Sequence, residues 1–256
     1  MIKIAITTPV KNRAWILPSY LAALEAAAQG FDAAYFFVDD GSTDATVEIL
    51  TAWLQTHPGT LHCEPSSGED NTSSRDARQR QACYRRLSGM RNRLIDDVLA
   101  TDAQWQLAID SDILLAPWAI RHLMAHQLPY VAAIVDNMRT IPVDVVMGRT
   151  WPDSQYNAMI DAHNASWTPL RTPPRNTLLP VALTGACALI ARHTLETPAR
   201  FSAHLVGEDA GYALALQAAG VTLHLDTHCL ALHVYAPRDL ALARASFAAL
   251  LVHGAR

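Results

Sequence analysis

Two rhythms of apolar and polar residues run along this chain. Short, nearly continuous apolar runs stop at clusters of Asp, Asn, Gly and Ser, and longer stretches repeat apolar residues every three or four positions. The first rhythm predicts buried strands, the second amphipathic helices. Ile2 to Thr7 opens as a strand, followed by the polar loop Thr8-Pro9-Val10-Lys11-Asn12-Arg13. A helix follows, with Pro18 in its first turn, Leu17, Leu21, Leu24 and Ala28 inward and Gly30 as its stop. Tyr35 to Val38 is a second strand ending at Asp39-Asp40-Gly41-Ser42, with Ser42 or Thr43 expected to cap the next helix and Val47, Leu50 and Leu54 inward. Leu61 to Glu64 is a short third strand.

Ser66 to Gln81 is polar almost throughout and is expected to be a mobile loop. Tyr84 to Leu99 is a helix with Leu87, Met90, Leu94, Ile95 and Val98 on one stripe. A strand at Gln106 to Ile109 follows, then a helix from Pro117 to about His126 and a strand from Tyr130 to Val135. Between Met138 and Pro180 six prolines, Trp151 and Trp167 fall without a period. The two tryptophans either form part of a binding surface or pin the segment to the core. Leu183 to Ile190 reads as a strand in which Gly185 permits close backbone approach. Gly207-Glu208-Asp209 opens a helix ending at Gly220, and Val221 to Leu225 and Leu230 to Val234 read as two strands. Asp239 to Val252 is an Ala/Leu helix that packs on the body or on a second subunit of a homo-oligomer. The alternation of strands and helices predicts an α/β fold with an open, mostly parallel twisted sheet flanked by helices.

Composition narrows the class. The 256 residues are 50% hydrophobic and only 17% charged, which suits one enzyme-like domain with a sizeable core. A formal net charge of −4 argues against general nucleic-acid binding, and the basic cluster from Arg75 to Arg93 is local. Cys63, Cys83, Cys187 and Cys229 are far apart without a CxxC pair, so a reduced, cytoplasmic setting is expected and a structural zinc site is not. MIKIAITTPV reads as a first strand and not as a signal peptide, and no apolar run is long enough to span a membrane. Neither GxGxxG nor GxxxxGK[ST] is present, which removes the dinucleotide fingerprint and the P-loop.

The chemistry concentrates at Trp105 to Leu115, WQLAIDSDILL, where a buried strand ends in Asp110-Ser111-Asp112. Two carboxylates this close repel, and burial raises the cost of ionising both. A divalent cation such as Mn²⁺ or Mg²⁺, which takes hard oxygen ligands, removes the conflict; a solvated strand-end turn is the plainer alternative. Arg91 falls inside the apolar stripe of its helix, so its guanidinium needs an anionic partner, either a core carboxylate or a phosphate.

VDDGSTDAT (Val38 to Thr46), Met90-Arg91-Asn92, Asp110 to Asp112 and Gly207 to Asp209 stand in a fixed order after the Thr8 to Arg13 loop. Together they resemble the family 2 glycosyltransferases with the GT-A fold, over about Ile2 to Val234. A shorter likeness, RNRLIDDVL running into LAIDSDI, is similar to the Anp1-type mannosyltransferases and would favour retention of configuration. The family resemblance implies an enzyme that moves one sugar from a nucleotide-diphosphate sugar, with UDP or GDP the first candidates, to an acceptor hydroxyl. It implies that Thr8, Pro9 and Arg13 line the nucleotide, that Asp39 meets the base and that Asp40 lies near the ribose. Arg91 would lie beside the nucleotide and the acidic motif. Asp110 and Asp112 would hold a metal-bound diphosphate and the donor sugar, and Asp209, with Glu208 before it, would be the catalytic base of an inverting transfer. His233 is either a metal ligand or a core histidine, and Trp151 and Trp167 are candidate acceptor contacts.

The resemblance also implies one GT-A domain over 1–256. Residues 1–112 would be its nucleotide-sugar half, 113–238 its acceptor and catalytic half, and 239–256 a C-terminal helix. The Gln-x-x-Arg-Trp signature of processive synthases is missing after Asp209, which favours single addition. Two other readings stay open on the sequence: a catalytically silent nucleotide-sugar-binding scaffold, and a sugar-1-phosphate nucleotidyltransferase, although the latter would want a glycine-rich loop where Thr8 to Arg13 has no glycine.

Overall fold

The computed structural model describes residues 1–65, 76–136, 176–205 and 207–253. Its strands are β1 (Lys3–Val10), β2 (Asp32–Asp39), β3 (Gly59–Cys63), β4 (Trp105–Ile109), β5 (Ile113–Leu115), β6 (Tyr130–Asp136), β7 (Leu178–Val181), β8 (Cys187–Ala191) and β9 (Leu223–His233). The helices are α1 (Leu17–Ala27), α2 (Thr46–Leu54), α3 (Ala77–Leu99), α4 (Ala119–Ala125), α5 (Arg192–Leu195), α6 (Glu208–Ala218) and α7 (Leu240–His253). All nine strands join one sheet in the order β3-β2-β1-β4-β8-β6-β9-β5, with β7 also paired to β9.

The sheet has two regimes. From β3 to β4 every pairing is parallel, and the strands carry the continuous apolar runs such a sheet needs: Ile4, Ala5, Ile6, Phe37, Val38, Leu107 and Ile109 are all buried. Beyond β4 the sheet is mixed: β8 runs antiparallel to β4 and β6, β6 is parallel to β9, and β5 and β7 are antiparallel to β9. β1 pairs with β2 on one side and β4 on the other, so the chain reverses its direction of travel across the sheet there. Open α/β sheets bind ligands at the carboxyl ends of strands at such a reversal. Val10 pairs with Asp39, and Asp40 donates its N–H to the Val10 carbonyl at 2.9 Å, so the ends of β1 and β2 are level.

Several elements differ from the sequence pattern for identifiable reasons. α3 begins at Ala77 because Asp76 caps it, accepting from the Arg78 N–H at 2.8 Å, so the last residues of the expected mobile loop are helical. α2 is entered through Asp44, which accepts from the Thr46 N–H at 3.0 Å, and neither Ser42 nor Thr43 caps it. The expected strand at Leu183 to Ile190 is divided: β7 ends at Val181, and β8 starts only after Gly185 and Ala186, the latter at φ +57°. β7 carries Pro180 at a place where, among the described residues, it pairs with β9 alone. The two expected strands near the C-terminus are one, β9, which pairs with β6 along both of its parts. Asp226 stands opposite Ala133 while Leu230 stands opposite Ile134, so residues 227–229 are looped out of the ladder.

α3 packs against β1 and β2 on one face of the sheet, and α6 contacts both α3 and β9. α4 lies against β6, β8 and β9, and α1 against β5. Burying a Leu or Ile such as Leu94, Ile95 or Leu107 is worth about 1.5–3 kcal/mol each, which is what holds these layers together. Among the described residues no helix is long and apolar enough to cross a membrane.

Candidate active site

Three loops meet above the carboxyl ends of β1, β2 and β4. Two of them are joined by side chains. Asn12, in the left-handed region at φ +50°, donates its N–H to Ser42 Oγ at 2.8 Å and accepts the Thr43 N–H on Oδ1 at 2.8 Å. The Arg13 N–H reaches Thr46 Oγ1 at 2.8 Å, and the Ala14 N–H reaches Asp44 Oδ2 at 3.1 Å. Asp39 completes this lock. Its carboxylate accepts the Ser42 N–H at 2.9 Å and the Ser42 hydroxyl, and the residue is 2% exposed.

The third loop is Asp110-Ser111-Asp112. Asp110 continues the line of β4, donating its N–H to the Ala186 carbonyl at 2.8 Å, and the chain then turns into β5, which pairs with the end of β9 so that Ile113 stands opposite His233. The two aspartates thereby acquire different partners. Asp112 Oδ2 accepts from the Arg13 guanidinium at 2.9 Å, and its Oδ1 lies 3.3 Å from His233 Nε2. Burial opposes ionisation of Asp112, but the hydrogen bond and charge of His233, with those of Arg13, outweigh it and hold the carboxyl below its ordinary range. Asp110 Oδ1 accepts from Arg91 at 2.8 Å.

Arg91 has the anionic partners that its place on the buried stripe of α3 demands. Its side chain is 10% exposed and reaches Asp110, Glu208 Oε1 at 3.2 Å and Asp209 Oδ1 at 4.0 Å, with its guanidinium 5.5 Å from the centre of the Phe201 ring. Burial alone would ease its deprotonation; Asp110, Asp209 and Glu208 together overcome that and push its pKa up. The neighbouring Asn92 holds the segment before α6 in place, donating to the Phe201 carbonyl at 2.9 Å and accepting the Phe201 N–H at 2.8 Å.

Glu208 and Asp209 stand in the first turn of α6, entered through Gly207 at φ +140°, a backbone region that side chains rarely occupy. Asp209 differs from the other carboxylates. Burial raises its pKa, Arg91 lowers it, and Glu208 and Asp110 raise it again, leaving it pushed up to about 7. Its side chain remains 34% exposed, facing the cleft.

These groups line one cavity of about 340 Å³, whose walls include Pro9, Lys11, Arg13, Asp40, Arg91, Asp110, Ser111, Asp112, Glu208, Asp209 and His233. The structure thus brings together most of the residues singled out in the sequence. Thr8 and Asp39 stay inside the protein: Thr8 is fully buried and shares a 2.6 Å hydrogen bond with the Tyr20 hydroxyl, and Asp39 is engaged by Ser42. Trp151 and Trp167 lie outside the described residues. Lys11 and Arg86 were not singled out, yet both contact Asp40, Lys11 Nζ at 3.3 Å and Arg86 through its Nε. The basic cluster from Arg75 to Arg93 is the signal for Arg86 in the sequence, and the start of α3 at Ala77 directs that residue to Asp40.

Asp112 Oδ1 and His233 Nε2 are close enough to be adjacent ligands of one ion, and a carboxylate oxygen with an imidazole nitrogen suits Mn²⁺. The donor set at the rim of the cavity therefore fits a divalent cation.

No protein-family model matches the chain, and no curated protein matches it in sequence. Solved structures do match in shape. S. aureus TarS 1-349 superposes with a TM-score of 0.57 at 14% identity, covering 98% of this chain and 66% of that one. The same protein in complex with UDP-GlcNAc gives 0.55 at 16% identity, covering 92% and 60%. The mannosyltransferase PcManGT from Pyrobaculum calidifontis, in complex with GDP-Man and Mn²⁺, gives 0.55 at 17% identity, covering 94% and 59%. The chain spans two thirds or less of the length of these proteins. The likeness extends over nearly all of the present chain, and the fold is the GT-A fold.

Proposed function

We propose that this chain is a metal-dependent glycosyltransferase that moves one sugar from a nucleotide-diphosphate sugar to an acceptor hydroxyl, with inversion. The observation that carries the reading is the grouping of Asp110, Glu208 and Asp209 around one buried guanidinium, on the wall of a cavity that also holds Asp112 and His233. A structural ion pair needs one carboxylate; three carboxylates around Arg91, one with its pKa near neutrality, form an arrangement for handling protons beside charge. UDP-GlcNAc and GDP-Man, with Mn²⁺ beside the latter, in the structural neighbours support a nucleotide-sugar donor.

Residues 1–112 form the nucleotide-sugar half and 113–238 the acceptor half, which meet at Asp110-Ser111-Asp112. Pro9, Lys11, Arg13 and Asp40 face the nucleotide, and Asp39 and Thr8 position that wall from behind. Asp112 and His233 hold the cation, with Asp110 toward the donor sugar. When bound, the cation supplies Lewis-acid stabilisation of the departing diphosphate. Asp209 accepts the proton of the acceptor hydroxyl as its oxygen bonds the anomeric carbon. The bond from that carbon to the diphosphate breaks, and the nucleoside diphosphate leaves with the electron pair. Arg91 keeps Asp209 ionisable near pH 7, and Glu208 fixes Arg91.

The test is a thermal-shift panel of UDP, GDP, CDP and dTDP with and without Mn²⁺, on the wild type and on Asp110→Ala/Asp112→Ala, followed by NMR of the transferred anomeric centre. A ligand that binds only the folded state raises its melting temperature. One nucleotide giving an Mn²⁺-dependent rise, absent in the double variant, is the expected result. No rise with any nucleotide overturns the reading, and a rise without any transferred sugar favours the silent nucleotide-sugar-binding scaffold.

A further inference from the structure

A second group of metal-ligating side chains lies away from this cavity, where α4 crosses β9. His122 on α4 and His126 at its C-terminal end are one helical turn apart and share a face. Both turn Nε2 toward the same atom, Asp226 Oδ2, at 2.8 Å from His122 and 2.6 Å from His126. Asp226 is 2% exposed and sits where β9 loops residues 227–229 out of the ladder. Its other oxygen, Oδ1, already accepts the N–H groups of His228 at 2.7 Å and Cys229 at 3.3 Å. The turn of the backbone thus fixes the carboxylate and aims Oδ2 at the helix.

Two imidazole nitrogens thus converge on one carboxylate oxygen whose position the backbone fixes. Both rings are partly exposed, with side chains 33% and 26% accessible, so an ion can reach the cluster from solvent. One oxygen and two imidazole nitrogens, all within 4.8 Å of one another, form the His₂-carboxylate set that binds Zn²⁺ with a coordination position left open to solvent. The loop geometry supplies the support such a set needs, since the carboxylate is held by backbone donors on its far side. His228 flanks the cluster, its ring 4.8 Å from that of His122 and its Nδ1 2.8 Å from Asn176 Oδ1.

We propose that His122, His126 and Asp226 form a binding site for one zinc-class divalent ion, separate from the Asp112/His233 site, that ties α4 to the looped-out part of β9. This assignment stands independently of the glycosyltransferase reading.

The experiment uses the full chain after chelator treatment, carrying Asp112→Asn so that the cavity site is weakened. Calorimetric titration with Zn²⁺ alone should show one equivalent binding, and the same addition should raise the melting temperature. Adding His122→Gln and His126→Gln should weaken that binding at least a hundredfold and abolish the thermal rise, in protein shown folded by circular dichroism. No Zn²⁺ uptake in the Asp112→Asn protein overturns the proposal, leaving a hydrogen-bonded trio; so does uptake unchanged by the two histidine substitutions. If the multiple variant does not fold, His126→Gln alone, expected to cost at least tenfold in affinity, decides in the same way. Co²⁺ on the Asp112→Asn protein should give the intense visible bands of a low-coordinate site, and only the weak spectrum of the hydrated ion counts against the assignment.

Discussion

The Asp209 carboxylate occupies the space that a side chain at residue 185 would fill: a Cβ on Gly185 would overlap Oδ2 and come within 2.6 Å of Cγ. Gly185 lies in the short passage before β8, next to the Ala186 carbonyl that receives the Asp110 N–H. One stretch of backbone therefore sets the positions of two cleft carboxylates. Gly185→Ala should turn Asp209 away from Arg91 and lower kcat about a hundredfold, the scale of a misplacement near 1 Å, with melting temperature almost unchanged. Steady-state kinetics beside a thermal melt checks this; wild-type kcat in the variant would show that Asp209 need not stand there.

Asp209→Asn keeps the shape of the side chain and removes its ability to take a proton. Transfer should fall by about two to four orders of magnitude while donor affinity, read by calorimetry, stays within a fewfold of wild type. Full activity with Asn would remove Asp209 from the role of base.

The pH dependence has a definite sign. A base is active when ionised, and burial, with Glu208 and Asp110 near it, pushes the Asp209 pKa up to about 7 against the pull of Arg91. Below pH 7 kcat/KM should fall about tenfold per unit, and above pH 7 it should level off. A profile flat from pH 5 to 8 would contradict the assignment. The same group acts on stability in the opposite direction. Its folded pKa lies above the ordinary carboxyl value of 3.8, so the folded state holds more protons between pH 4 and pH 7, and its contribution to stability declines as pH rises through that window.

Arg91→Met retains the apolar stem and removes the charge that Asp110, Glu208 and Asp209 share. Breaking a buried pair from one side leaves uncompensated carboxylates, so the variant should lose about 3 kcal/mol in urea unfolding at pH 8 and recover part of that at pH 5, where Asp209 is protonated. The kinetic pKa should move above 7, because Arg91 lowers that of Asp209. An unchanged midpoint would mean that solvent already screens the cluster.

His233→Ala removes one of the two groups proposed to hold the cation and a group that keeps Asp112 ionised. The Mn²⁺ concentration needed for half-maximal donor binding should rise at least tenfold, with metal-free nucleotide binding unaffected. If the requirement does not move, His233 acts only as a partner of Asp112.

Much of this arrangement is legible in the sequence because it rests on local pattern. The stripe on α3 placed Arg91 inward, and a buried guanidinium needs anions. The apolar run ending in Asp110-Ser111-Asp112 placed two acids at a strand tip, and Gly207-Glu208-Asp209 announced a helix start. What could not be read depends on contacts that no apolar or polar periodicity declares. Thr8 and Asp39 look like loop residues facing a ligand; Tyr20 and Ser42 claim them instead. The three residues of β5 carry too little pattern to declare a strand, and their pairing with β9 is what brings His233 to Asp112. The looped-out residues of β9 divide one strand into two in the sequence because Asp226, Thr227 and His228 interrupt its apolar run.

Three successive residues of α3 hold three separate parts of the chain: Arg91 holds Glu208, Asn92 the backbone of Phe201, and Arg93 Glu64 at 2.9 Å. Each points a different way because each is turned about 100° from the last. Inserting or deleting one residue between Arg93 and Leu94, with Leu94, Ile95 and Val98 kept in the core, would rotate all three grips together and part each from its partner. The core side of α3 therefore sets the direction of all three grips, while the stretch from Asp76 to Met90 can change length without turning them.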